Sequence, residues 1–296
     1  MGTVEFGVNY GIQVPGEGQP TENEAISLIH KAIDFGINFL DTAPNYGNSE
    51  EIVGKALASK KNVYIASKIN IPKNDNGELL SGKELKQFVD NSINKSLKDL
   101  KRETIDFLQI HNATKEIIQN DEMTHSLKEL VRLGKVKHIG ASVYGEENAD
   151  ALINSKDYQG VQLAYNILDQ RMRYNIFQKA EKANKGIMCR SVYLKGALTS
   201  KAQWLPDELI ELKKHVEKIR DHFQISYDDM AQLALRFVLS SNFINTVLVG
   251  ISNKKELDEA IKIVQQGALD NKEIETLNSF ALTDEKLINP SYWSVP

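Results

Sequence analysis

The chain has 296 residues, 41% hydrophobic and 26% charged, with 40 acidic against 36 basic side chains for a net charge of -4. That length bounds one large domain or two ordinary ones with a sizeable core, and the charge balance offers no basic field for nucleic acid or a membrane. No N-terminal apolar run reads as a signal peptide and none is long enough to span a bilayer, while the lone cysteine, Cys189, suits a reducing compartment, so the expected location is cytoplasmic.

Strand and helix signals alternate along the chain. Gly2–Val8 reads as a first strand. Thr21 to Glu24 form a capping box that opens a helix ending at Gly36, and Ile37–Asp41 is the second strand. A short helix over Ser49–Ala58 precedes strand Asn62–Lys68, and Ser81 to Glu84 cap a long helix reaching Lys101. Strand Ile105–Asn112, helix Glu122–Leu133 and strand Val136–Ser142 follow. Helix Glu146–Asn154, strand Gly160–Ala164, helix Tyr174–Asn184 and strand Ile187–Val192 continue the rhythm. The last unit holds helix Ser226–Ser240, strand Ile244–Val249 and helix Lys254–Gln265. The strands are short apolar runs rather than strict alternators, as strands buried on both faces should be. The expected fold is α/β, a (β/α)8 TIM barrel. Two helices, Pro206–Phe223 and Asn271–Ala281, exceed the repeat and are expected outside the barrel. With no composition shift or linker, residues 1–296 read as one domain.

Competing motifs fail on inspection. Gly16-Glu17-Gly18 has Thr21 where a dinucleotide fingerprint needs glycine, and no Walker-type glycine–lysine loop is present. His30, His125, His138, His215 and His222 lack metal-ligand spacing, so no metal is expected. Cys189 sits among apolar residues as an inert thiol.

Chemistry concentrates at strand ends. Asp41, Tyr46, Lys68 and His111 each lie at or just past the end of an apolar run, where a parallel barrel gathers its active-site groups. A carbonyl becoming an alkoxide needs a proton, which the Tyr46 phenol can supply. An ammonium from Lys68 beside it favours the phenolate and lowers a pKa that is otherwise near ~10. Asp41 would hold Lys68 in place, and His111 would donate a hydrogen bond to the substrate oxygen.

These residues resemble the aldo-keto reductase family over nearly the whole chain. Gly36-Ile37-Asn38-Phe39-Leu40-Asp41-Thr42-Ala43 with Tyr46-Gly47 and Ser49-Glu50 is similar to its signature, and Gly2-Thr3 with Phe6-Gly7 to its first strand and loop. Ala66-Ser67-Lys68, Asp106 to His111 and Gly134 to Ser142 are similar to its lysine, histidine and amide-binding segments. The resemblance implies hydride transfer with a nicotinamide dinucleotide, NADPH first and NADH second, and no metal. It implies cofactor contacts from Thr3, Asp41, Ser142 and Gln162, with Arg190 where many members place a tyrosine against the nicotinamide. Ser191, Leu194, Lys195, Gly196 and Gly250 belong to the loops after the seventh and eighth strands, where barrels bind phosphate. Ser252 stands where many members carry a basic residue for the 2′-phosphate of NADPH, Lys254 and Lys255 are near enough to substitute, and Glu256 matches a position near the adenine. Val143 and Ala260 replace frequent asparagines.

The expected function is therefore reduction of an aldehyde or ketone, a small-molecule carbonyl, by an NAD(P)H-dependent oxidoreductase. Segments 2–11 and 190–196 resemble branches associated with sugar or polysaccharide biosynthesis, which suggests a sugar carbonyl. Tyr10 joins Tyr46 and His111 as a pocket residue, with Tyr292 and Trp293 if the tail folds over the mouth. The alternative is a redox-sensing regulatory subunit that binds the dinucleotide with negligible turnover. A hydrolase reading lacks a second carboxylate at a strand end. Pathway, reaction direction and oligomeric state stay open.

Overall fold

Short apolar runs, too hydrophobic to face water on either side, assemble here edge to edge. The computed structural model describes residues 1–295 apart from residues 59 and 61. A 7-stranded parallel sheet runs in chain order: β1 (Phe39–Asp41), β2 (Tyr64–Ile69), β3 (Ile105–Ile110), β4 (Val136–Ser142), β5 (Gly160–Ala164), β6 (Gly186–Arg190) and β7 (Thr246–Val247). The helices between them bury one stripe each. Helix Glu22–Asp34 turns Ala25, Leu28, Ile29 and Ala32 inward, and helix Gly82–Asp99 turns in Leu85, Val89, Ile93 and Ser96, the three-to-four spacing of a core-facing side.

The Thr21 capping box is present, with Thr21 and Glu24 satisfying each other's backbone N–H groups. Ser81 differs from expectation, because its side chain makes no cap bond. The exposed N–H of Gly82 instead donates to Glu122 Oε2 of helix Asp121–Arg132 at 2.7 Å.

The first strand departs most from the sequence reading. Only Gly2 bridges in β fashion, parallel to Asp41 on one side and Gly250 on the other. Met1–Thr3 thus joins the two edges of the curled sheet: Gly2 N–H donates to Val249 O at 2.8 Å, Thr3 N–H to Asp41 O at 3.1 Å and Asp41 N–H to Met1 O at 2.9 Å. Val4–Gly7 then forms a helical turn in place of a strand. The turn buries Phe6 completely, an apolar gain that outweighs the strand preference of Val4 and Phe6. The last strand is also short, although Asn245 and Leu248 still donate to β6 carbonyls beyond the Thr246–Val247 ladder.

The longer helices resolve into shorter pieces. Pro206–Phe223 becomes a 3-10 turn at Asp207–Leu209 and helix Ile210–Phe223, and Tyr174–Asn184 becomes Ile176–Lys182 after a 3-10 turn. Asn271–Asn278 ends before Ala281. Among the described residues no helix is long and apolar enough to cross a membrane.

Phe107 lies two residues before Gln109, on the same face of β3. It fits only because its neighbours lack side chains. A Cβ on Gly140 would stand 2.3 Å from Gly160 O and 2.5 Å from Phe107 Cζ. Gly140→Ala should therefore destabilise the protein by about 1–3 kcal/mol through overpacking. An unchanged urea-unfolding midpoint would show that Phe107 moves aside at no cost.

Candidate active site

The carboxyl ends of the strands deliver side chains to one point inside the curled sheet. Asp41 ends β1, Lys68 sits near the end of β2, Gln109 faces Lys68 in the β2–β3 register, and Gln162 lies in β5. Asp41 is 4% exposed and Lys68 1%. The Lys68 ammonium donates to Asp41 Oδ2 at 2.6 Å and to Thr42 O at 2.9 Å. The other Asp41 oxygen accepts from Gln109 Nε2 at 3.0 Å and Gln162 Nε2 at 2.8 Å. Every acceptor of this buried carboxylate is thus engaged, as a charge removed from water requires.

Tyr46 and His111 complete the cluster. The Lys68 Nζ stands 4.8 Å from the centroid of the Tyr46 ring. Burial opposes the Lys68 charge, but the Asp41 carboxylate and the Tyr46 phenol outweigh it and hold its pKa above the ordinary lysine value. His111 packs edge-on to Tyr46, with ring centroids 5.9 Å apart at 86°. Burial first, then the charge of Lys68, depress the His111 pKa to about 4. The imidazole is neutral at pH 7, and its Nδ1 is buried without a hydrogen-bond partner.

Two glycines set the Tyr46 backbone. Gly47 has φ +55, and a Cβ on Gly7 would fall 1.7 Å from Tyr46 O. Only glycine allows so close a crossing. Beneath it, hydroxyls form a buried chain: Thr42 donates to Ser49 Oγ at 3.0 Å, and Thr3 donates to Asp41 O at 2.9 Å. Ser49 in turn donates to Thr3 at 2.7 Å. Thr3 therefore lines the site with its hydroxyl already committed.

A cleft of about 190 Å³ runs outward from Tyr46. Of the expected cofactor residues, Thr3, Asp41, Gln162, Arg190, Ser191, Lys195, Gly196, Gly250 and Glu256 line it. Ser142, Leu194, Ser252 and Lys254 do not. Ser142 is buried opposite Gln162 in the β4–β5 register, and Leu194 is wholly buried. Lys255, rather than Lys254, reaches the cleft, because successive helix residues face different directions. Ser252 N–H and Oγ both donate to Glu256 Oε2, at 2.8 and 2.9 Å. Helix Lys254–Gln265 is capped by Asn253, whose side chain accepts from Glu256 N–H, while the Glu256 carboxylate reaches back to Ser252 just ahead of the cap.

The loop after β6 carries three non-glycine residues in the left-handed region, Ser191, Leu194 and Lys195. Such backbone persists where the surroundings hold it. Asn166 Nδ2 donates to Ser191 O at 3.0 Å, and Lys195 O accepts from Ile12 N–H at 3.0 Å. Tyr10 borders the cleft, but Tyr292 and Trp293 do not: Trp293 is buried with Nε1 donating to Lys286 O, and Tyr292 is exposed.

Several groups escaped sequence reasoning. Lys201 lies 2.9 Å from Glu256 Oε1 and 3.8 Å from Glu17 Oε2, joining the first loop to the last helix unit. Glu5 borders the same space, with Oε2 buried and without a hydrogen-bond partner. Burial, reinforced by Glu256 and opposed by Lys201, raises its pKa to about 7. No local signal marks Glu5, since the helical turn that aims it was read as a strand. Gln109 was legible in principle, being two positions before His111 on a buried strand.

The comparisons fit this geometry. Residues 1–281 match the Aldo/keto reductase family. YqkF of Bacillus subtilis, described as an uncharacterized oxidoreductase, is 25% identical over 280 residues, covering 89% of each chain. Aldo-keto reductase AKR11C1 from Bacillus halodurans in its holo form superposes with a TM-score of 0.77 at 20% identity, covering 97% of this chain and 94% of that one. An aldo/keto reductase from Klebsiella pneumoniae, in complex with NADP and acetate, has a TM-score of 0.67 at 18% identity over 92% of this chain and 89% of that one. The chain belongs to the aldo/keto reductase family, and it is an oxidoreductase.

The histidine supplies a direct check. Between pH 6.5 and about 4 an unfolded chain protonates this imidazole while the folded one does not. His111 therefore lowers stability as pH falls through that window, because the unfolded state binds more protons there. Histidine NMR titration should give His111 a midpoint near pH 4. A midpoint near 6.5 would mean that water reaches the ring.

Proposed function

We propose that this protein reduces an aldehyde or ketone to the alcohol, with Tyr46 as general acid and NADPH as the preferred hydride donor over NADH. One observation carries the proposal: a buried, hydrogen-bonded Asp41–Lys68 pair lies beside the Tyr46 ring, with a neutral imidazole edge-on to it. That is a phenol with a fixed cation beside it, as a proton donor to a nascent alkoxide requires. In this reading the chain is a single-domain (β/α)8 barrel, with Met1–Thr3 as the eighth stave and helices Ile210–Phe223 and Asn271–Asn278 outside the repeat.

The cleft suits a dinucleotide. Its lining runs from Tyr46 past the loops after β6 and β7, and Glu5 Oε2 is an orphaned buried acceptor that a hydroxyl-bearing ligand would satisfy. Ser191, Lys195, Gly196 and Gly250 would hold the phosphates, while Lys201 and Lys255 would supply positive charge for a 2′-phosphate. The bound dinucleotide supplies the hydride.

The chain's own groups do the rest. Neutral His111 donates a hydrogen bond to the carbonyl oxygen and orients it. The Tyr46 phenol transfers its proton to that oxygen as negative charge develops, and Lys68 stabilises the phenolate left behind. Asp41 keeps Lys68 charged and in place, and Gln109 and Gln162 keep Asp41 from turning away. Gln162 thereby commits one amide N–H to Asp41 and keeps its second N–H and its carbonyl oxygen for a nicotinamide amide. The amide of Asn45, next to Tyr46 in sequence, and that of Asn70 are hydrogen-bonded to each other and support a hydroxyl-rich substrate such as a sugar carbonyl.

Tyr46→Phe should lower turnover by about 10²–10⁴-fold and leave dinucleotide affinity nearly intact; undiminished turnover removes Tyr46 from the mechanism. Glu256→Gln removes the carboxylate that pairs with Lys201 and should raise affinity for NADPH relative to NADH. Equal changes for both would mean that the 2′-phosphate binds elsewhere.

A further inference from the structure

Arg190 has an unusual electrostatic position. It ends β6, lines the cleft with Tyr46 and Gln162, and is only partly exposed. Its guanidinium carbon stands 4.0 Å from the centroid of the Tyr144 ring. Nη2 donates to Val143 O at 3.0 Å and Nη1 to Ser191 Oγ at 3.2 Å. All three partners are neutral. Among the described residues no carboxylate lies within 4.0 Å of it.

The other charges nearby do not compensate. Lys68 and Asp41 neutralise each other, and His111 is uncharged at pH 7, its pKa depressed by burial and by Lys68. The inner end of the cleft therefore carries one unbalanced positive charge.

We propose that Arg190 makes this cleft discriminate between the two redox states of its dinucleotide, retaining the reduced form and expelling the oxidised one. The inference rests on the carbonyl-reductase reading above. A ring that passes hydride to a carbonyl held at Tyr46 must approach it to about 3–3.5 Å, which puts it at the end of the cleft that Arg190 borders. The dihydronicotinamide ring is neutral and electron-rich, a good partner for a guanidinium face. The nicotinamide ring is a cation, and two unit charges at contact distance repel strongly enough to weaken binding roughly tenfold or more. A tyrosine at this position would stack on both forms without that penalty. Arg190 would then favour reductive turnover kinetically, with the reaction's equilibrium unchanged: the reduced dinucleotide enters readily, and the oxidised product leaves readily.

Dissociation constants for NADPH and NADP⁺, by fluorescence titration and competitive displacement, test this on wild type, R190M and R190K. Wild type should bind NADPH at least ~10-fold more tightly than NADP⁺. R190M should shrink that ratio roughly fivefold or more, chiefly by tightening NADP⁺, while R190K keeps most of it. R190Q serves the same comparison if R190M does not fold. A wild-type ratio near one, or an unchanged ratio in the neutral variants, overturns the proposal. Binding of neither form to wild type would instead overturn the dinucleotide reading itself.

Discussion

The buried Asp41–Lys68 pair is the constraint around which the site is organised. Charges withdrawn from water cost more than their mutual attraction returns unless every lone pair and proton finds a partner. Here Thr42, Gln109 and Gln162 supply partners, so one ion pair recruits side chains from β2, β3 and β5 and from the end of β1. Loss of either charge would leave the other stranded in a dry interior, a loss of about 3–5 kcal/mol. The same pair fixes the cation beside Tyr46. Stability and the proposed proton transfer thus depend on one geometry.

Backbone contact, rather than side-chain packing, aligns the phenol with that cation. The approach of Gly7 to Tyr46 O and the left-handed Gly47 hold the loop in one conformation. The hydroxyl chain through Thr3, Ser49 and Thr42 ties the same loop to the segment that closes the sheet. Sheet closure and acid placement are therefore coupled: the few residues that join β1 to β7 also anchor the loop that carries Tyr46.

The cleft has two ends of different electrical character. Near Tyr46 it is cationic through Arg190. Near helix Lys254–Gln265 it is of mixed charge, with Glu5 and Glu256 facing Lys201 and with Lys255 beside them. Protonation of Glu5 near pH 7 acts against that of His111 on stability. Its raised pKa contributes stability fully below 4.5, and that contribution fades as pH rises through about 7.

The sequence by itself determined the alternation of strands and helices, because buried parallel strands must be apolar on both faces and amphipathic helices must keep one apolar stripe. Strands β4 and β5 and helices Glu146–Asn154 and Lys254–Gln265 were legible to the residue, each bounded by glycine, asparagine or serine. The four polar residues at strand ends were legible for the same reason, since a polar group ending an apolar run has one natural destination in a parallel sheet. Only the tertiary structure decided that Met1–Thr3 closes the sheet and Val4–Gly7 turns away from it, because that balance lies between strand preference and the burial of Phe6. It also decided that Glu256 reaches back to Ser252, that Lys201 and Glu5 enter the cleft, and that Arg190 stands without a counter-charge. Those outcomes depend on distances between loops remote in sequence, which no local pattern encodes.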